Sequence, residues 1–105
     1  MKEETVNRIR QFVSNRDWDR FHSPSNLAKS IVIEAAELLE CFQWSDDFDM
    51  QHVKEELAGV LIYSQQLLDK LGLDMDDIIN MKMTMNENKY PVETAKGSSQ
   101  KYDLL

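Results

Sequence analysis

Ile31-Val32-Ile33-Glu34-Ala35-Ala36-Glu37-Leu38-Leu39-Glu40-Cys41-Phe42-Gln43-Trp44 sets acids at helical spacing inside a predominantly apolar run. Residues three apart lie on one helical face, so Glu34 and Glu37 project together from a segment that otherwise reads as core. Carboxylates held close in such surroundings resist ionising unless a cation compensates them. A second stretch, Val53-Lys54-Glu55-Glu56-Leu57-Ala58-Gly59-Val60-Leu61-Ile62-Tyr63, carries Glu56 inside another amphipathic helix, and three residues on stands Gly59 rather than an acid. Packed antiparallel, the two helices bring Glu34, Glu37 and Glu56 together against apolar neighbours.

Working outward, Val6, Ile9, Phe12 and Val13 recur at spacings of three and four and predict a first helix from Glu3 to about Asn15. Arg16 to His22 breaks that period and reads as a loop. Ser23-Pro24 is a start signal, with serine as N-cap and proline in the first helical turn, and the second helix is expected to run to about Trp44. One of Asp46, Asp47 and Asp49 caps a third helix that continues to Leu71, with Gly72 just beyond its end. Asp74 caps a fourth, which Tyr90-Pro91 terminates. From Pro91 periodicity is lost, and an ordered hook at most, then a loose tail, is expected for 91–105. The expectation is an all-α, four-helix bundle-like single domain spanning 1–105 with its core at about 3–90.

The chain has 105 residues and a net charge of −7, which argues against a binder of long nucleic acid, since such proteins cluster Lys and Arg against phosphates. No apolar run is long enough to span a bilayer, and Met1-Lys2-Glu3-Glu4 opens without a signal-peptide pattern, so no membrane association and a cytoplasmic address are expected. Cys41 is the single cysteine and reads as a small core hydrophobe.

Acids on helices are ordinarily solvated and paired with bases one turn away. Here no Lys or Arg lies between Ser30 and Lys54, and the acids of the second helix sit among Ile33, Ala35, Ala36 and Leu38. Three hard oxygen donors of this kind, Glu34, Glu37 and Glu56, suit Mg²⁺ or Mn²⁺. Trp18, His22, Trp44 and Tyr63 are candidates to line a pocket for a flat base, against the plainer reading as core or subunit contacts. Lys82, Asn86 and Lys89 share a face of the fourth helix and suit phosphate oxygens, against the plainer reading as a solvated flank.

In order and spacing, four segments together resemble the MazG-type all-α nucleoside triphosphate pyrophosphohydrolases, in particular the dCTP pyrophosphatase-like branch. They are Arg16 to His22, Glu34 to Trp44, Glu55 to Tyr63 and Lys82 to Val92. The resemblance implies that Glu34, Glu37 and Glu56 match three of four Mg²⁺-binding acids. It further implies that Trp18, His22, Trp44 and Tyr63 lie near base and sugar, and Lys82, Asn86 and Lys89 near the phosphates. A homodimer or homotetramer, intertwined, and hydrolysis of a nucleoside triphosphate to monophosphate and pyrophosphate are implied as well, with Glu37 or Glu40 activating water. The departure is Gly59, where the family pattern has Asp. Three accounts are open: a water or Glu40 takes the missing position, the chain binds nucleotides with little turnover, or Gly59 is an altered residue. Restoring the acid by Gly59→Asp is expected to tighten Mg²⁺ dependence and raise turnover.

Overall fold

A computed structural model describes residues 1–97, and the expected tail from Ser98 onward lies outside the described residues. The elements in chain order are α1 (Glu3–Asn15), a 3-10 turn (Asp19–Phe21), α2 (Pro24–Glu40), α3 (Met50–Leu71), α4 (Met75–Lys89) and a one-turn α5 (Val92–Ala95). Among the described residues there is no strand. The all-α, four-helix reading therefore holds, and the hook expected after Pro91 is the short helix α5.

The helix starts are chemical. Ser23 Oγ accepts from the Asn26 N–H at 3.1 Å, Asp49 Oδ1 from Gln51 N–H at 3.1 Å, and Asp74 Oδ2 from Asp77 N–H at 3.1 Å. Each satisfies one of the donors that a helix N-terminus leaves unpaired. Gly72 ends α3 in the left-handed conformation, φ 66°, which glycine adopts without steric penalty.

One boundary differs from expectation: α2 stops at Glu40, four residues short of Trp44. Beyond Glu40 the backbone bonds tighten to three-residue spacing, Cys41 N–H to Leu38 O and Phe42 N–H to Leu39 O. Phe42 then turns onto Phe48, ring centroids 5.0 Å apart. That aromatic contact, together with the Ser45 Oγ accepting from Asp47 N–H, folds the link on itself. A helix continued to Trp44 offers neither.

The chain forms two compact units, Met1–Gly72 and Leu73 onward. In the first, α2 packs chiefly on α3, and α1 also meets α3. Leu27 is 1% exposed and, with Ile9, Val13 and Leu68, forms the buried apolar centre. The outer tie is polar: Arg10 grips Asp69 through Nε at 3.0 Å and Nη2 at 2.8 Å, while Gln65 Nε2 donates to the same carboxylate at 3.0 Å. Lys70 Nζ reaches both the Asp19 carboxylate at 2.9 Å and its carbonyl at 3.0 Å. These bonds secure the turn carrying Trp18 and His22 to α3.

Candidate metal centre

α2 and α3 run antiparallel, because Glu34 stands opposite Gly59 and Glu37 opposite Glu56. Three and four residues are the helical neighbour spacings, so Glu34 and Glu37 stack on the α2 face turned to α3. One carboxylate oxygen from each of Glu34, Glu37 and Glu56 lies within 4.8 Å of the other two. All three residues are half-buried. The three acids singled out from spacing therefore converge.

Their electrostatics are those of an uncompensated cluster. Burial raises the Glu34 carboxyl above the ordinary glutamate range, and the nearby Glu37 raises it further. Glu37 is raised chiefly by a hydrogen bond with Glu56 and by that residue's charge. Like charges this close share protons rather than ionise together, unless a cation intervenes. Three carboxylate oxygens this close are hard donors that suit a divalent cation.

Two features escaped the sequence reading. His52 Nε2 lies 3.3 Å from Glu56 Oε1, one turn away on α3. The signal was the four-residue spacing, which a search for Lys and Arg alone overlooks; when protonated, His52 also favours ionised Glu37. The second is the apolar flank of the acids, expected as core. Val32 is 67%, Ile33 58% and Leu39 66% exposed. The helical period explains this for Val32 and Leu39, which fall opposite Glu34 and Glu37 once those are turned to α3, while Ile33 falls on the flank between the two faces.

Gly59 lies beneath Glu34. An ideal Cβ on Gly59 would stand 2.9 Å from Glu34 Cδ and 3.4 Å from Cγ, with the Oε2 atom nearer still. Glu40, the alternative water-activating acid, is exposed in the last turn of α2 and is not a member of the three-acid cluster. Cys41 donates to Glu37 O at 3.6 Å, and burial raises its thiol, consistent with a small packing residue.

Of the candidate base-binding aromatics, Trp18 and His22 meet edge to face with centroids 6.4 Å apart, and Phe12 packs on Trp18 at 5.5 Å. Tyr63 is half-buried on α3. Trp44 is 89% exposed in the link after α2, projecting away from packed structure. Lys82, Asn86 and Lys89 share one face of α4, in the second unit. Among the described residues, no helix is long and apolar enough to cross a membrane.

Residues 29–105 match the MazG-like family, and the chain belongs to it. The chain is 36% identical over 113 residues to dCTP pyrophosphatase 1 of Mus musculus and of Homo sapiens. Each alignment covers 97% of this chain and 66% of the relative, so the chain spans just under two thirds of their length. Among solved structures, a pyrophosphatase from Archaeoglobus fulgidus DSM 4304 is similar with a TM-score of 0.77 and 42% identity, over 85% of this chain and 91% of that one.

Proposed function

We propose that this member of the MazG-like family is a Mg²⁺-dependent nucleoside triphosphate pyrophosphohydrolase, releasing monophosphate and pyrophosphate from a (deoxy)nucleoside triphosphate. The observation that carries the reading is the convergence of Glu34, Glu37 and Glu56 from two helices. Similarity to dCTP pyrophosphatase 1 favours dCTP or a modified pyrimidine nucleotide as substrate, and with it a role in cleaning the nucleotide pool in the cytoplasm.

Glu34, Glu37 and Glu56 hold the divalent ion. When bound, Mg²⁺ supplies neutralisation of the charge that develops on the triphosphate oxygens. Glu37 or Glu40 orients the attacking water and takes its proton, while the bond joining the α-phosphate to the pyrophosphate breaks. Lys82, Asn86 and Lys89 are assigned to the phosphates, and Trp18, His22, Trp44 and Tyr63 to base and sugar, through the family resemblance.

The active species is a homodimer or a pair of dimers. Val32, Ile33 and Leu39 on α2, with Leu57 and Leu61 on α3, are large apolar side chains left exposed in a chain with a small buried centre, and a second copy would cover them. An exposed Trp44 fits the same account, since a side chain that finds no pocket in its own chain is available to one shared between copies.

Gly59 at the position of a fourth acid favours a second reading, a nucleotide-binding module with little turnover. Incubation with a panel of nucleoside triphosphates and Mg²⁺, scored by pyrophosphate release, decides between them. Release of one pyrophosphate per monophosphate is expected; equilibrium binding without release would establish the second reading.

A further inference from the structure

We infer that Lys70, in the last turn of α3, is a positioning residue for the nucleotide: it clips the Asp19 turn to α3 and thereby fixes where Trp18 and His22 meet base and sugar. The inference rests on the reading above that gives those two side chains to the nucleoside end of the substrate, and it names the cation that holds them in place.

The segment from Arg16 to His22 is irregular backbone sewn to both neighbouring helices. Trp18 N–H donates to Val13 O at 3.1 Å, Phe21 N–H to Trp18 O at 2.9 Å and His22 N–H to Asp19 O at 3.1 Å. Asn26 Nδ2 adds a bond to Phe21 O at 3.1 Å. These join the segment to α1 and α2. Asp17 enters it at φ 52°, a left-handed conformation that a residue with a Cβ adopts at a cost, so the segment depends on its ties.

Lys70 adds the third helix. Its Nζ stands 2.9 Å from the Asp19 carboxylate and 3.0 Å from the Asp19 carbonyl, across 51 positions of sequence. That carbonyl also accepts from His22 N–H, so the ammonium holds the very atom on which the turn closes. A charged donor makes the stronger class of hydrogen bond, and the Lys70 side chain is only 27% exposed. Glu56, Tyr63 and Lys70 recur at intervals of seven and share one side of α3, an unbroken helix. The clip therefore refers the aromatic turn to the same rod that carries Glu56. A substrate gripped by its phosphates at the acids and by its base at the turn then meets both at a set separation.

The test is a double-mutant cycle on the whole chain, with wild type, Lys70→Met, Asp19→Ala and the double variant, and Trp18→Ala alongside. Methionine keeps the apolar stem of lysine and removes the cation. The readouts are KM and kcat for pyrophosphate release from dCTP with Mg²⁺, and the affinity for Mn²⁺ alone. Lys70→Met is expected to raise KM about fivefold, the ceiling that a solvent-screened ion pair sets, with kcat within about twofold of wild type. Its Mn²⁺ affinity should stay at the wild-type value, because Glu56 lies toward the other end of α3. Asp19→Ala, which leaves the carbonyl contact in place, should raise KM less, and in the Lys70→Met background it should add nothing. An unchanged KM in Lys70→Met, a loss of Mn²⁺ affinity with it, or additive losses in the double variant overturns the inference; the last would mean that Lys70 acts on substrate independently of Asp19. Should Lys70→Met fail to fold, Asp19→Ala decides: a raised KM with wild-type kcat supports the clip, and a wild-type KM overturns it. A wild-type KM in Trp18→Ala overturns the nucleoside-end reading itself, and the inference with it.

Discussion

Glu37 on α2 and Glu56 on α3 turn their carboxyl groups toward each other across the helix pair, and that contact raises Glu37 above the ordinary glutamate range. Two acids facing one another without a base between them weaken the fold unless an ion or a proton sits there. Replacing either one therefore has opposite effects on stability and on chemistry. Glu37→Gln is expected to lower pyrophosphate release at least a hundredfold, the scale of a lost general base. The metal-free variant should keep its helical circular dichroism and melt no lower than wild type at neutral pH. Undiminished release would remove Glu37 from the site.

The same raised groups set a pH dependence. Glu34 and Glu37 bind protons more tightly folded than unfolded. The stability they contribute is fully present below the unfolded value of about 4.5 and is lost as pH rises through the folded values. Metal-free protein should thus lose stability as pH climbs from 4.5 toward neutrality, and Glu34→Gln should flatten that limb. Thermal melts across this window, without and with Mg²⁺, check it: added Mg²⁺ should restore stability on the neutral side.

Asp69 works in the other direction. Its hydrogen bonds with Arg10 and Gln65 hold it below the usual aspartate value. The stability it provides is present above the unfolded value of 3.8 and is lost as pH falls through the folded one. Arg10 is about half exposed, so a small coupling, discounted for solvent screening but above zero, is expected from an Arg10→Ala and Asp69→Ala cycle. Coupling indistinguishable from zero in urea titrations would mean that the pair does not tie α1 to α3.

Leu27 is the most deeply buried side chain of the first unit. Leu27→Ala should cost about 2–5 kcal/mol, the range for emptying a well-packed leucine site. In a chain with so few buried apolar residues, such a loss should bring chemical unfolding close to zero denaturant.

Val32 and Ile33 test the apolar surface that α2 leaves exposed. A Val32→Glu and Ile33→Glu double variant should elute and scatter light as a monomer where wild type does not, with its helix content retained. A wild-type chain that is itself monomeric at micromolar concentration would leave that face without its proposed partner.

Much of the architecture is local and hence legible in the residue order. Ser23, Asp49 and Asp74 cap helices through their own side chains, and Gly72 stops α3 by its own backbone freedom. The pairing of Glu34 with Glu37 is likewise a matter of helical period. The end of α2 was not legible, because it depends on Phe42 meeting Phe48 across a turn. Nor was the exposure of Val32 and Ile33, since an apolar run does not reveal which of its sides finds a neighbour.

What the order of amino acids determined alone is the set of helices, their caps and the facing of acids along each one, since these depend on neighbours within a turn. Tertiary structure decided that α2 and α3 pack in the register that lets Glu56 close the cluster, and that Glu34 rests on Gly59. Those relations join residues on elements whose register is set by packing, and a one-residue slip between α2 and α3 would separate both of them.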